Sequence, residues 1–109
     1  MRKHIIADIQ AHAAADYPKE CCGLVLAVGR AQKYFPCRNT ATEPNEEFRI
    51  DPDDYAAAED QGEVIGIVHS HPDATSRPSS RDLAMCEATA LPWHILSWPE
   101  RSEEHTSEL

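Results

Sequence analysis

The first segment of the chain has the hydrophobic periodicity of a helix. The apolar residues Ile5, Ile6, Ile9 and Ala13 recur at the spacing of one helix face, and Asp16-Tyr17-Pro18 ends the pattern. We therefore predict a first helix over residues 2–15.

Strand-like segments follow this helix. Two short apolar runs, Cys21–Val28 and Gln32–Cys37, predict a hairpin or two sequential strands, and polar–apolar alternation over Glu47–Ile50 predicts a short strand. The segment Glu63–His69 is nearly all apolar, which is typical of a strand buried on both faces. Trp93–Trp98 is predicted to be the last strand.

Capping signals predict two further helices. Asp51 precedes Pro52, a favoured first helical residue, and Gly62 marks the end of that helix. Ser79 is a candidate cap for a third helix over Ser80–Ala90. The order helix, strands, helix, strand, helix, strand predicts an α/β fold of the α+β-like kind, with a mixed sheet flanked by helices.

Length and charge narrow the function classes. A chain of 109 residues with a net charge of −9 is expected to form one domain that repels phosphate backbones and anionic lipid. No apolar run approaches the ~20 residues that span a bilayer. We expect a cytoplasmic protein without nucleic-acid or membrane partners. Its four cysteines are interpreted as buried free thiols: Cys21, Cys22, Cys37 and Cys86.

The last nine residues differ from the rest. Residues 101–109 are polar, lack an amphipathic period and are similar to the in-frame translation of a widely used sequencing adapter. We interpret residues 1–100 as the domain, truncated at its C-terminus, and residues 101–109 as a non-native tail.

A candidate metal site lies at the end of the strand predicted over Glu63–His69. Side chains two apart on a strand share one face about 6.6 Å apart, so His69 and His71 can reach one ion. Asp82, in the first turn of the next predicted helix, is a candidate third ligand. Two imidazoles and a carboxylate leave a fourth position of zinc open, as in catalytic sites.

Two further residues are candidates for the chemistry. Hydrolysis at such a zinc site needs a base that is not a ligand, and Glu20, which we expect to face solvent, is the candidate. Ser79 is a candidate donor to the oxyanion of a tetrahedral intermediate, in addition to capping the helix.

These residues together resemble the JAMM motif of the MPN-domain metalloproteases, which is Glu, then His-x-His, seven residues, and Ser-x-x-Asp. The resemblance covers residues 1–100. It implies an MPN fold, related to that of cytidine deaminases, and a zinc peptidase or isopeptidase. In that family pattern His69, His71 and Asp82 hold the metal, Glu20 is the base and Ser79 assists the oxyanion.

Other segments look like the branch of this family found in bacteriophage and prophage tail-assembly proteins, among them Asp51–Tyr55 and Glu87–Trp98. That resemblance implies a peptide or protein substrate, tail proteins as partners, and a location in the bacterial host cell or the virion. It also implies a C-terminal cell-wall peptidase domain, which is not visible in this sequence.

Other functions than zinc-dependent proteolysis fit parts of this sequence. The metallo-β-lactamase pattern needs a third His where Ala74 stands, and nucleobase deaminases need H-x-E with a Pro-Cys-x-x-Cys pair. A thiol hydrolase using Cys21 or Cys22 with His69 stays open, but residues beside a buried strand suit packing better than nucleophilic attack. A non-catalytic MPN-type scaffold for tail assembly is the main alternative.

Overall fold

The computed structural model describes residues 1–73, 80–99 and 106–108. Within them the chain forms three helices and five strands in one sheet. In chain order these elements are α1 (Lys3–Asp16), β1 (Cys22–Val28), β2 (Ala31–Cys37), α2 (Pro52–Gln61), β3 (Glu63–Pro72), α3 (Ser80–Thr89), β4 (Trp93–Trp98) and β5 (Thr106–Glu108).

The sheet is mixed, as the order of elements predicts. Its strands lie in the order β2-β1-β3-β4-β5. Strand β1 is antiparallel to β2 and β3, whereas β3 and β4 are parallel. Parallel neighbours need a crossover connection, and α3 lies in the segment between them. The α+β class and the flanking helices are thereby confirmed.

The two faces of the sheet bury different residues. On the helix face, Ile5, Ile9 and Ala13 of α1 pack in a cluster with strand residues that include Val68 and Leu96. The opposite face, called the cavity face below, packs Ala58 of α2 with six strand residues: Cys22, Leu24, Leu26, Cys37, Ile67 and Trp93. Each fully buried aliphatic side chain stabilises the fold by roughly 1.5–3 kcal/mol.

Helix α2 begins and ends where its capping residues predict. The Asp51 side chain accepts a hydrogen bond from the Asp53 N–H at 3.1 Å, Pro52 is the first helical residue and Gly62 follows the last. Arg38 pairs with Asp51 and Asp54, and this guanidinium lowers the pKa of the Asp54 carboxyl.

Two segment predictions need correction. The strand predicted over Glu47–Ile50 is wrong: only Ile50 makes a bridge, with Asn39. Strand β3 continues past His69 to Pro72, because its end pairs with the end of β4. Within the segment interpreted as a tail, Thr106–Glu108 pairs with β4 through backbone contacts, which any side chains allow.

None of the helices in the described part of the chain is long and apolar enough to cross a membrane.

Candidate metal and catalytic site

The two predicted histidine ligands converge at the end of β3. Their Nε2 atoms are 3.1 Å apart, and their rings meet edge to face with centroids 5.0 Å apart. His69 is fully buried and His71 is half-buried. The alternation of β3 therefore places both imidazoles on the cavity face, as the His-x-His spacing predicts.

Aromatic side chains hold His69 in place. Phe48 stacks on the imidazole with ring centroids 4.4 Å apart, and Trp93 meets it edge-on at 5.7 Å. The indole N–H of Trp93 donates to the Thr89 hydroxyl of α3 at 2.9 Å. Sequence reasoning missed Phe48, although a lone aromatic residue in the polar 38–49 segment was a usable signal.

The spacing of the two nitrogens fits a single zinc ion. Two ligands about 2.05 Å from zinc in tetrahedral geometry stand about 3.3 Å apart. The observed 3.1 Å between Nε2 of His69 and Nε2 of His71 is within ~0.2 Å of that separation. The pair is therefore spaced as two ligands of one zinc ion would be.

Glu20 comes just before the residues that pair with the end of β3. Strand β1 pairs with β3 so that Cys22 is opposite His69, and the Ser70 N–H donates to the Cys21 carbonyl at 3.0 Å one step further along. This register places the start of β1, which Glu20 precedes by two residues, at the histidine end of β3. The Glu20 residue is only 6% exposed, so the expectation of a solvent-facing side chain is wrong: it lines a cavity instead.

That cavity has a volume of about 560 Å³. Its lining combines apolar side chains, several of them from the cavity face and the 40–50 segment, with acidic residues. The lining includes Glu20, Glu46, Phe48, Tyr55, Met85 and Trp93. Glu20 and the ring that stacks on His69 thus border one space large enough for several residues of an extended peptide.

Two predicted site residues fall outside the described part of the chain. Ser79 lies outside it, and for Asp82 only the position in the first turn of α3 is described. Among the side chains that are described, no three His, Cys, Asp or Glu residues form a set that could hold a metal. The two histidines are the predicted ligands that the structure brings together.

The cysteines next to Glu20 are buried thiols, as predicted. Cys21 and Cys22 are fully buried, and Cys37 is also buried and free; the side chain of Cys86 is not described. Burial raises the pKa of the Cys21 thiol to about 11 and raises that of Cys22 as well. Because a nucleophilic thiol needs exposure and a low pKa, the structure argues against a thiol hydrolase.

The family assignment rests on a match of nearly the whole chain to one family model. Residues 2–108 match the model of the prokaryotic homologs of the JAB domain, and the chain belongs to this family. The JAMM/MPN resemblance of its sequence motif is thereby confirmed at the level of the family.

Relatives of this chain come from phages and archaea. It is 62% identical over 100 residues to tail tip assembly protein K of Escherichia phage N15 and 32% identical over 89 residues to a desampylase of Haloferax volcanii. These matches cover 92% and 74% of the chain, but only 41% and 64% of the two relatives. The chain thus spans less than half of the phage protein.

Its fold matches a solved structure. A JAB1/MPN domain protein from Archaeoglobus fulgidus superposes with a TM-score of 0.60 at 20% identity, over 96% of this chain and 82% of that one. At this identity the match shows the fold alone, and it confirms the predicted MPN-type architecture.

Proposed function

We propose that this chain is a zinc-dependent peptidase or isopeptidase domain that hydrolyses an amide bond in a protein substrate. The observation that carries the proposal is that the two histidine Nε2 atoms lie 3.1 Å apart, and that Phe48, which stacks on His69, lines the same cavity as the buried carboxylate of Glu20. A domain that only binds partners has no need of that combination.

The residues would divide the work as follows. His69 and His71 would hold zinc through Nε2, with Asp82 of α3 as the third ligand. Bound zinc acts as a Lewis acid that lowers the pKa of water and polarises a carbonyl oxygen. The stacked Phe48 and edge-on Trp93 fix the ring of His69, so the chelate needs little reorganisation.

Glu20 would move the proton. Its carboxylate accepts a proton as water attacks the carbonyl carbon, and returns it to the amine nitrogen as the C–N bond breaks. Ser79 would donate a hydrogen bond to the oxyanion of the tetrahedral intermediate. Burial of Glu20 at the cavity wall would keep this exchange away from bulk water.

The names of the relatives support the biological setting. The archaeal relative is called a desampylase, which favours an isopeptide substrate, and the phage relative is called a tail tip assembly protein. We propose a role in phage or prophage tail assembly, with tail proteins as partners and the bacterial host cell or the virion as the location.

Zinc content and the Glu20→Gln variant test the proposal. We expect about one zinc per chain and cleavage of a Lys-linked isopeptide or a linear peptide. Glu20→Gln should keep zinc, because Glu20 is not a ligand, and lose about 10²- to 10⁴-fold in kcat. Elemental analysis and a fluorogenic assay measure both quantities.

Glu43→Gln is the matched control, because Glu43 is an exposed acid in the nearby segment, and it should retain full activity. Wild-type rates for Glu20→Gln would remove Glu20 as the base. Folded protein that binds zinc and cleaves neither substrate would instead favour the scaffold alternative.

A further inference from the structure

One side chain organises the cavity wall next to Glu20. The Asn39 amide nitrogen donates to the carbonyl oxygens of Glu20 at 2.9 Å and Glu47 at 3.0 Å, with the Pro44 oxygen further away at 3.4 Å. An amide carries two hydrogens, so the two short contacts are its main bonds and the third is shared. These bonds join segments 19 and 8 residues from Asn39.

The other end of the same amide is also used. Asn39 Oδ1 accepts hydrogen bonds from the backbone N–H groups of Ala41 and Arg49, each at 3.0 Å. Because three carbonyls face the nitrogen and two N–H groups face the oxygen, the orientation of the amide follows from its partners. Asp has no donor for the carbonyls, and Gln is one methylene too long for the same place.

The bonds of Asn39 link the general base to the wall of the cavity. The Glu20 N–H also donates to the Pro44 oxygen at 2.7 Å, so both backbone groups of Glu20 are held by the 39–49 segment. The same segment carries Phe48, which stacks on His69. Asn39 thus contacts the backbone that presents the base and the backbone that presents the ring against the metal ligand.

We propose that Asn39 is a positioning residue for the hydrolytic site. It holds the backbone of Glu20 and the Phe48 segment against the His69–His71 pair, and its effect on catalysis rests on the proposed role of Glu20 as the base. Displacement of a catalytic group by about 1 Å costs about 10²-fold in rate. A half-buried amide that takes no part in the reaction can therefore still control kcat.

Two variants test the contributions of the amide nitrogen and the amide oxygen of Asn39. Asn39→Asp keeps an acceptor for Ala41 and Arg49 but places a carboxylate oxygen against the carbonyls that the amide nitrogen held. Asn39→Ala removes both halves. The matched controls are Asn45→Asp and Asn45→Ala, because Asn45 is an exposed asparagine in the same segment.

Amide hydrogen exchange reports on the backbone directly. In Asn39→Ala the N–H groups of Ala41 and Arg49 lose their acceptor. The Glu20 N–H keeps its own acceptor, the Pro44 carbonyl, but the Asn39 bond that holds its segment against that carbonyl is lost. All three amides should therefore exchange about 10- to 100-fold faster. In Asn39→Asp only the Glu20 amide should do so, because the acceptor for the other two remains. The Asn45 variants should exchange like the wild type.

Zinc content and kinetics then separate positioning from general destabilisation. Both Asn39 variants should retain one zinc per chain, since the predicted ligands lie on β3 and α3, and lose about 10²-fold in kcat with a smaller change in KM. If Asn39→Ala does not fold, Asn39→Asp carries the test alone.

The outcomes distinguish this proposal from the proposed function. An unchanged exchange rate for the Glu20 amide in a folded Asn39 variant would overturn the positioning role, whatever the activity. Faster exchange with wild-type kcat would overturn its catalytic consequence. A zinc-loaded wild type without hydrolysis would overturn the proposed function, and with it the effect on kcat, while exchange would still decide whether Asn39 holds Glu20.

Discussion

The two faces of the sheet around His69, Ser70 and His71 bury polar side chains in contrasting ways. On the helix face the Ser70 hydroxyl accepts a hydrogen bond from the Cys21 N–H at 2.8 Å. Nearby, the Tyr34 hydroxyl lies 2.6 Å from His12 Nδ1. On the cavity face the two imidazoles lie 3.1 Å apart at Nε2, and Phe48, which stacks on His69, lines the same cavity as Glu20.

The contrast shows that one strand, β3, contributes both to packing and to a candidate site. Alternation along β3 directs Ser70 into a packed layer under α1, where polar atoms are satisfied by other parts of the chain. It directs His69 and His71 to the opposite side, where their Nε2 atoms lie 3.1 Å apart. Changes on the helix face should therefore affect stability, and changes on the cavity face should affect chemistry.

The largest effect is expected on the cavity face. His71→Ala removes one of two converging nitrogens, so zinc should be lost and hydrolysis should fall about 10³-fold or more. The free energy of unfolding of the metal-free protein should change by only about 0.5 kcal/mol, because His71 is half-buried. Zinc analysis, kinetics and urea unfolding measure these quantities.

His4→Ala is the control for this prediction, because His4 is an exposed histidine of α1 that bonds the Gln32 carbonyl. It should keep zinc and activity. Full zinc binding by His71→Ala would mean that the convergence of the two imidazoles does not form a metal site.

A substitution on the helix face should show the reverse pattern. A Cβ added at Gly23 would lie 2.6 Å from Cζ of the Tyr34 ring, which is buried and has little room to move. Gly23→Ala should therefore destabilise the fold by about 1–3 kcal/mol through overpacking, while the folded fraction keeps its zinc and kcat. Thermal unfolding and kinetics at low temperature measure both effects.

Gly29→Ala distinguishes crowding from backbone strain in that experiment. A Cβ at Gly29 would meet no atom within 4 Å, but Gly29 has a φ of +61°, so only strain of about 1 kcal/mol is expected there. A Gly23→Ala protein as stable as the wild type would show that the Tyr34 layer is not tightly packed.

The smallest effect is expected on the stability of the fold at low pH. Burial lowers the pKa of His12 from its ordinary value, against the opposing attraction of Asp16 at 3.2 Å. The unfolded chain therefore binds a proton at His12 more readily than the folded chain does. As a result, His12 does not reduce the free energy of unfolding above about pH 6.5, and it reduces it increasingly below that pH. His12→Gln should make the decline between pH 7 and pH 5 shallower than in the wild type.

Urea unfolding across that pH range measures the slope, with His4→Gln as the exposed control that should leave it unchanged. An identical slope for His12→Gln and wild type would show that burial of His12 does not affect acid stability. It would also weaken the contrast between a sealed helix face and a reactive cavity face.

Local signals in the sequence predicted much of the fold. The periodicity of Ile5 and Ile9 located α1, and Asp51, Pro52 and Gly62 located both ends of α2, because caps and helix faces depend on residues a few positions apart. The predicted strand over Glu47–Ile50 failed for the opposite reason. Its backbone bonds the side chain of Asn39 and the residue after it, a choice that alternation does not reveal.

The candidate site, like the fold, was only partly predictable from the sequence. The sequence was enough to place His69 and His71 on one face, since residues two apart on a strand share a face, and to reveal the family motif to which they belong. The tertiary structure alone showed that Glu20 is buried at the cavity wall, that Phe48 stacks on His69 and that Asn39 joins these segments. Those contacts depend on strand register and on a loop folded around one amide, and both bring together residues that are distant in the chain.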